Sequence, residues 1–387
     1  MTLNRRFPSI HAMQEGAARR VPRFALGYLE GGIDREVCLA ANMDALRRVV
    51  LAPRAIVDEA FEPDLSVTLF GRTWPLPFAP APLGLTGLIW PNAPALIARA
   101  AAGHGLPVCL SSFATMSVEE IAAIAGSSLW FQLYCTADPA IENDIVDRAE
   151  AAGVSVLVVT VDVPTRTRRE RDIASGLSVP PRFDRTTLMD IMARPAWALA
   201  MLRAGIPRFR TLENYMTKGL PLAQRGEHLA SMVDGRVTAG KLERLRERWK
   251  GPMIVKGLLD PDDAVRMRDM GVDAVAVSNH GGRQFDAAPT PVEVLPAIRR
   301  AVGADYPLLA DGGVRSGIDV ARMIACGANF VLMGRAFAYA VAAGGEACVD
   351  HAIRIIHADL RQAMMQAGTP RLDGLSASRA TGELRGA

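Results

Sequence analysis

Eight short apolar runs, at residues 77–82, 107–111, 129–134, 156–162, 253–256, 273–278, 307–310 and 330–333, recur along the chain with helical patterns between them. They are rich in Val, Leu and Ile and do not alternate with polar residues. Such runs suit strands of a parallel sheet covered on both faces. Helix-start signals follow several of them. Ser117 with Glu120 forms a capping box, and Ser316 with Asp319 resembles one. Thr290-Pro291 with Glu293 and Asp260-Pro261 with Asp263 each supply an N-cap, a proline at the first helical position and an acid in the first turn. Eight strand-then-helix repeats predict an α/β fold, the (β/α)8 TIM barrel. A doubly wound open sheet competes, but no G-x-G-x-x-G follows the first run.

Two regions stand outside the repeat. Residues 1–76 read as an N-terminal helical segment ahead of a barrel spanning 77–368. Residues 165–236, after the fourth strand, are too long for an ordinary strand-to-helix connection and read as an inserted lid or docking loop. The pattern around Lys241 to Trp249 supplies the fourth barrel helix, and 369–387 form a tail. A chain of 387 residues is compatible with one such domain.

The formal net charge of +3 is small for this length, and no basic stripe is interleaved with aromatics, which argues against nucleic acid as a partner. Five scattered cysteines, none in a C-x-x-C pair, argue against a metal site or disulfide framework and for a reducing, cytoplasmic setting. Arg5-Arg6 is followed by Glu15, Arg19 and Arg20 rather than an apolar core, so no signal peptide is expected. No uncharged apolar run approaches the ~18 residues of a membrane-spanning helix.

The polar residues collect where the runs end, the end that carries the active site in such barrels. Ser111 and Ser112 close the second run, Gln132 and Tyr134 the third, and Thr160 and Asp162 the fourth. Lys256 closes the fifth, Ser278 and His280 the sixth, Asp311-Gly312-Gly313 the seventh and Gly334-Arg335 the eighth. Buried polar groups are costly unless paired, so this repetition points to a site rather than to packing. The stretch Ser278-Asn279-His280-Gly281-Gly282-Arg283-Gln284 is the densest part. It sets a base that titrates near neutrality beside a planar fork suited to a carboxylate. The glycine-rich turns at Asp311-Gly312-Gly313-Val314-Arg315 and Gly334-Arg335, each opening a helix, suit a phosphate.

These motifs resemble the FMN-dependent 2-hydroxy-acid oxidases and dehydrogenases, which include glycolate oxidase, L-lactate dehydrogenase and (S)-mandelate dehydrogenase. Trp130-Phe131-Gln132-Leu133-Tyr134, Thr160-Val161-Asp162-Val163-Pro164 and Val255-Lys256-Gly257 match in order with the His280 loop and the two phosphate turns. Pro82-Leu83-Gly84-Leu85-Thr86-Gly87 looks most like the membrane-associated bacterial lactate and mandelate dehydrogenases. The resemblance implies that FMN is the cofactor. Pro82, Leu83 and Gly84 would lie along the flavin, and Ser111, Gln132, Thr160 and Ser278 would contact it. Lys256 would stabilise charge on its pyrimidine end. Asp311, Gly312, Gly313, Arg315, Gly334 and Arg335 would hold the ribityl chain and phosphate. Tyr28, Arg169 and Arg283 would grip the substrate carboxylate, and Tyr134 would contact the hydroxyl. His280 would be the base, its imidazolium stabilised by Asp162. No metal is implied. The implied reaction is oxidation of an L-2-hydroxy acid, lactate- or mandelate-like, to the 2-oxo acid. Homotetramers are common in the family.

Each residue has a plainer reading. His280 alone could be a surface or core histidine, Lys256 a Schiff-base lysine of a flavin-free lyase or isomerase, Arg169 part of a solvated loop, and Tyr28 helix-end packing. His104, His228, His351 and His357 have no catalytic context. Phe113 and Arg166 are expected to shape the substrate side-chain pocket. Gly84 stands where oxidases of the family typically carry alanine, which favours a quinone or other membrane acceptor over O2 with peroxide release. Residues 182–210 carry six Arg and two Asp among Leu188, Ile191, Met192, Trp197, Leu199, Met201 and Leu202. This composition suits peripheral contact with the inner face of the cytoplasmic membrane, or else a lid or subunit contact.

Overall fold

The structure is a computed structural model describing residues 2–165, 167–175, 177, 184–216, 231–233 and 235–379. Arg166 and His228, together with Arg182 and Phe183 of the basic segment, lie outside the described residues. Strands are numbered in chain order. β1 (Val67–Leu69) and β2 (Arg72–Trp74) form an antiparallel pair. The eight expected strands follow as β3 (Phe78–Pro80), β4 (Val108–Ser111), β5 (Leu129–Tyr134), β6 (Val156–Thr160), β7 (Met253–Leu258), β8 (Ala274–Val277), β9 (Leu308–Ala310) and β10 (Phe330–Met333).

These eight make one parallel sheet in the order β3-β10-β9-β8-β7-β6-β5-β4, so the first strand pairs with the last and the sheet curls into a barrel. β3 and β4 lie side by side at the seam. Prolines at 77, 80 and 82 remove ladder donors from β3. Side chains alternate about the sheet. Trp130, Val158, Ile254, Ala276, Leu309 and Phe330 fill the barrel, while Phe131, Leu133, Leu157, Val159 and Val275 face the surrounding helices.

The N-terminal segment contains the helices Leu3–Arg6, Ile10–Arg20, Arg23–Glu30 and Val37–Arg48. It also contains the β1–β2 hairpin, which a helical reading of 1–76 does not anticipate. The hairpin turns on Phe70 and Gly71, both at positive φ (54° and 74°), the requirement of a type I′ turn. Leu69 and Trp74 join the interior cluster, and Phe70 and Trp74 meet Trp130 edge-on at 6.2 and 6.0 Å. The N-terminal segment is also bridged to the residues after the barrel: Leu51 to Arg379 and Asp64 to Arg371.

The helix starts follow their sequence signals, with two differences. Ser117 forms a full capping box, and Asp260 accepts from Asp262 and Asp263 N–H. Ser316 accepts from Asp319 N–H, but the Asp319 carboxylate accepts from Arg315 N–H rather than from the cap. Thr290 does not cap with its hydroxyl, which instead donates to Glu293 at 2.6 Å.

Within the insertion, helices Glu170–Ala174 and Arg185–Met192 pack on helix Arg23–Glu30, Pro195–Ala204 packs on Arg185–Met192, and Ala239–Arg248 serves as the expected barrel helix. Trp197 faces inward: it meets Phe24 edge-on at 5.7 Å and donates to the Leu88 carbonyl at 3.1 Å. Ile191 and Met201 pack on the core beside it. Leu188, Met189, Met192, Leu199, Leu202 and Ile206 are exposed. Among the described residues, no helix is long and apolar enough to cross a membrane.

Candidate active site

One cavity of about 840 Å³ opens at the C-terminal ends of the barrel strands, within the range of small-molecule and cofactor sites. His280 enters it from the loop after β8. His280, Gly281 and Gly282 all have left-handed backbones, with φ of 56°, 64° and 74°. Glycine adopts this without steric cost; His280 does not, and the loop must hold it there. Ser278 Oγ accepts from His280 N–H, Asn279 closes the turn on Gly282 N–H, and a reciprocal amide pair joins Asn279 to Asn42. A side chain at Gly282 would strike the backbone of Leu39 at 2.6 Å.

His280 Nδ1 lies 2.9 Å from Asp162 Oδ1, and its Nε2 3.2 Å from the Tyr134 hydroxyl. An ionised carboxylate only accepts, so Nδ1 carries the proton and Nε2 presents its lone pair to the cavity. Burial works to raise the Asp162 carboxyl, but the charge and hydrogen bond of His280, with Lys256, hold it below its ordinary value. Burial, with Asp162 nearby, pushes the Tyr134 phenol up, so it stays a neutral donor. Gly257 makes this geometry possible. Its φ is +109°, and a Cβ there would sit 2.6 Å from Asp162 Cβ and Cγ. In the sequence Gly257 enters only through the Val255-Lys256-Gly257 match, with no role of its own, because a glycine after a strand lysine looks like an ordinary strand end.

Lys256 Nζ lies 2.9 Å from Asp311 Oδ2 and 2.8 Å from Ser278 Oγ. Burial works to lower its pKa, yet Asp311 and Asp162 raise it above the ordinary value. The ion pair with Asp311 and the bond to Ser278 engage the ammonium, which argues against a Schiff-base role.

Arg283 donates to the carbonyls of Tyr28 and Gly31 at 2.8 and 2.6 Å and lies over the Tyr28 ring. Burial and the charge of Arg169 bring its pKa down to about 10. Arg169 has its nearest carboxylate, Asp172, at 3.8 Å, and its buried Nε has no partner among the described residues. Two like charges facing one cavity with so little compensation call for an anion. Tyr28 lies beside them, its hydroxyl 3.4 Å from the Gly84 carbonyl.

The rest of the cavity fits FMN. Gln132 Nε2 and Asp311 Oδ1 are buried without partners among the described residues, and Ser111 Oγ donates to Gln132 Oε1 at 2.7 Å, which turns the free amide nitrogen inward. Pro82, Leu83, Gly84 and Thr160 line the wall. The space at two glycines is tight: a Cβ at Gly84 would meet Phe113 Cβ at 3.3 Å, and one at Gly334 would meet Leu83 Cδ2 at 3.2 Å. Gly312 and Gly313, at φ 95° and 82°, bring backbone to the rim with Arg315 beside them. The Arg335 guanidinium donates to the Leu29, Gly281 and Gly31 carbonyls, each at 2.9 Å, which fixes it at the cavity beside the N-terminus of its own helix, Arg335–Gly344, with two of its five N–H groups left over. Burial, with Arg283 and Arg315, brings its pKa down to about 9. Ser111, Ser278 and Asp162 stand behind the lining, each bonded to a residue that reaches it.

His104 pairs with Asp350, and His351 lies 3.0 Å from the Phe7 carbonyl, away from this cavity. Among the described residues, no group of His, Cys, Asp and Glu could hold a metal ion.

Residues 17–381 match the FMN-dependent dehydrogenase family. An L-lactate dehydrogenase of Caulobacter vibrioides (strain NA1000 / CB15N) is 43% identical over 356 residues, 92% of each chain. One of Pseudomonas syringae pv. syringae is 39% identical over 365 residues, 94% of this chain and 95% of the other. The crystal structure of (S)-mandelate dehydrogenase, described as a monotopic membrane protein, superposes with a TM-score of 0.91 at 32% identity, covering 97% of this chain and 99% of that one. With a match of this extent laid over this cavity, the chain belongs to the FMN-dependent dehydrogenase family.

Proposed function

We propose that this protein oxidises an L-2-hydroxy acid, lactate- or mandelate-like, to the 2-oxo acid and passes the electrons to a quinone or another membrane acceptor. The observation that carries the reading is that an under-compensated guanidinium couple, Arg283 and Arg169, lines the same cavity as His280, which Asp162 backs from behind. Arg283 is already fixed by two backbone carbonyls, so it meets a carboxylate with little loss of side-chain freedom. With the carboxylate gripped there, the α-carbon is oriented toward His280 Nε2 and the Tyr134 hydroxyl. His280 Nε2 takes the proton that leaves the substrate, and Asp162 stabilises the resulting imidazolium. Tyr134, neutral throughout, donates to the substrate oxygen.

FMN, when bound, supplies the two-electron acceptor. Pro82, Leu83, Gly84, Gln132, Thr160 and Lys256 would hold its ring system, supported by Ser111 and Ser278. Asp311, Gly312, Gly313, Arg315, Gly334 and the Arg335 N–H would hold its chain and phosphate. Lys256 brings a fixed positive charge to a dry wall, where negative charge is otherwise costly.

The exposed apolar side chains of Arg185–Met192 and Pro195–Ala204, flanked by Arg185 and Arg203, suit peripheral docking on an anionic membrane at its inner face. The membrane-associated relative supports this reading. A homotetramer is the proposed assembly.

The test is anaerobic bleaching of the FMN-loaded protein by glycolate, L-lactate, (S)-mandelate and longer L-2-hydroxy acids. Bleaching by none of them overturns the reading. Peroxide formed under air as fast as a quinone or dye is reduced would replace the dehydrogenase with an oxidase. Failure to float with anionic vesicles at low salt would remove the membrane docking alone.

A further inference from the structure

A row of aromatic rings leads away from His280: Tyr134 with its centroid 6.3 Å away, Phe113 5.2 Å beyond it edge-on, and Phe209 5.5 Å beyond that, again edge-on. The first two rings belong to the barrel. Phe209 belongs to the insertion, yet it lines the same cavity, as do Leu177 and Val233.

Its inward position is enforced from both sides. Arg208 pairs with Glu213 at 2.7 Å, and Arg210 with Glu120 on barrel helix Val118–Ala125 at 3.2 Å. Arg148, on helix Pro139–Ala151, donates to the Thr211 carbonyl at 2.8 Å, and Leu212 is buried. The polar neighbours are thus tied down on the outside, and the ring between them is directed into the cavity.

We infer that Phe209 is a specificity-determining residue: it forms the far wall of the substrate side-chain pocket and selects 2-hydroxy acids whose apolar chain extends past Phe113. This rests on the 2-hydroxy-acid reading above. With the carboxylate at Arg283 and Arg169 and the hydroxyl at Tyr134, the aromatic row starts beside the remaining substituent and offers it an apolar wall to follow. The methyl of L-lactate ends beside the first rings. A chain of several carbons, or one bearing an aryl group, reaches Phe209 and removes that ring's face from water. An apolar wall discriminates between substrates through the methylenes that touch it.

The test compares kcat/KM for L-2-hydroxyoctanoate and L-lactate, with a dye acceptor and no oxygen, in wild type, Phe209→Ala and Phe209→Leu. Calorimetric binding of 2-oxooctanoate and pyruvate is measured alongside. The expected result is a fall of roughly tenfold or more in the octanoate-to-lactate ratio for Phe209→Ala, with a smaller fall for Phe209→Leu and a parallel loss of 2-oxooctanoate affinity. An unchanged ratio, including one in which both substrates lose equally, overturns the inference. If Phe209→Ala fails to retain FMN, Phe209→Leu and Arg210→Ala, which releases the latch without touching the ring, decide by the same ratio. If neither acid bleaches the wild-type flavin, it is the 2-hydroxy-acid reading that fails.

Discussion

Replacing Asp162 by Asn tests the dyad with little change of shape. The carboxylate lies 2.9 Å from His280 Nδ1, and only a tenth of its side chain is exposed. An amide oxygen can still accept from Nδ1–H, so one neutral hydrogen bond survives and only the charge is lost. A hydrogen bond to a charged group is worth ~1.5–3 kcal/mol, against about 1 for a neutral one. Two unit charges 4 Å apart at an effective dielectric of about 20 interact by about 4 kcal/mol. A net loss of ~2–3 kcal/mol falls on the state in which His280 is an imidazolium. At about 1.4 kcal/mol per factor of ten, flavin reduction by substrate slows roughly 30- to 150-fold. The assay is anaerobic stopped-flow bleaching at saturating substrate, with FMN content measured on the same sample. A slowing of less than about twofold with FMN retained would refute the electrostatic role, because even the weakest charged hydrogen bond exceeds a neutral one by about 0.5 kcal/mol.

His280→Gln keeps a polar side chain but removes the base, and it should nearly abolish bleaching while FMN stays bound, as absorbance of the desalted protein will report. Gly257→Ala places a methyl against Asp162 and forces an L-residue to φ +109°, so it should slow bleaching at least as much as Asp162→Asn and also lower the thermal midpoint. Acid stability gives a further check. The folded Asp162 carboxyl titrates below its unfolded value of about 3.9, so its contribution is fully present above that pH and is lost as pH falls through the depressed folded value. Urea midpoints of the FMN-loaded protein between about pH 5 and 3 should therefore fall less steeply for Asp162→Asn than for wild type.

The barrel was readable because strands buried on both faces leave unbroken apolar runs, and because Ser117 and Asp260 announce helices chemically. The His280 loop was readable for a similar reason: a base, two glycines and an arginine after such a run have few other uses. The hairpin escaped because its strands are three residues each and its turn is Phe70-Gly71, without the Asn or Asp that usually marks type I′. The alternation of Val67, Leu69 and Trp74 with polar neighbours was its one local trace. Trp197 misled in the other direction. Composition makes it look like an interfacial tryptophan, but burial against Phe24 depends on a contact more than 170 residues away in the chain. The carbonyls that hold the Arg335 side chain were not legible either, since the three of them come from two distant segments.

The pairing of β3 with β10 also dictates an order of events during synthesis. Phe78 meets its ladder partner Val331 only after some 250 further residues have been added. At about 5–20 residues per second, the first strand waits on the order of ten seconds or more for the last. Until then the nascent chain carries an open-edged fragment whose interior, with Trp74 and Trp130, cannot be sealed. The stitches from Leu51 to Arg379 and Asp64 to Arg371 come later still. The barrel therefore closes last, and its open edges are exposed for longest while the strands between are being made.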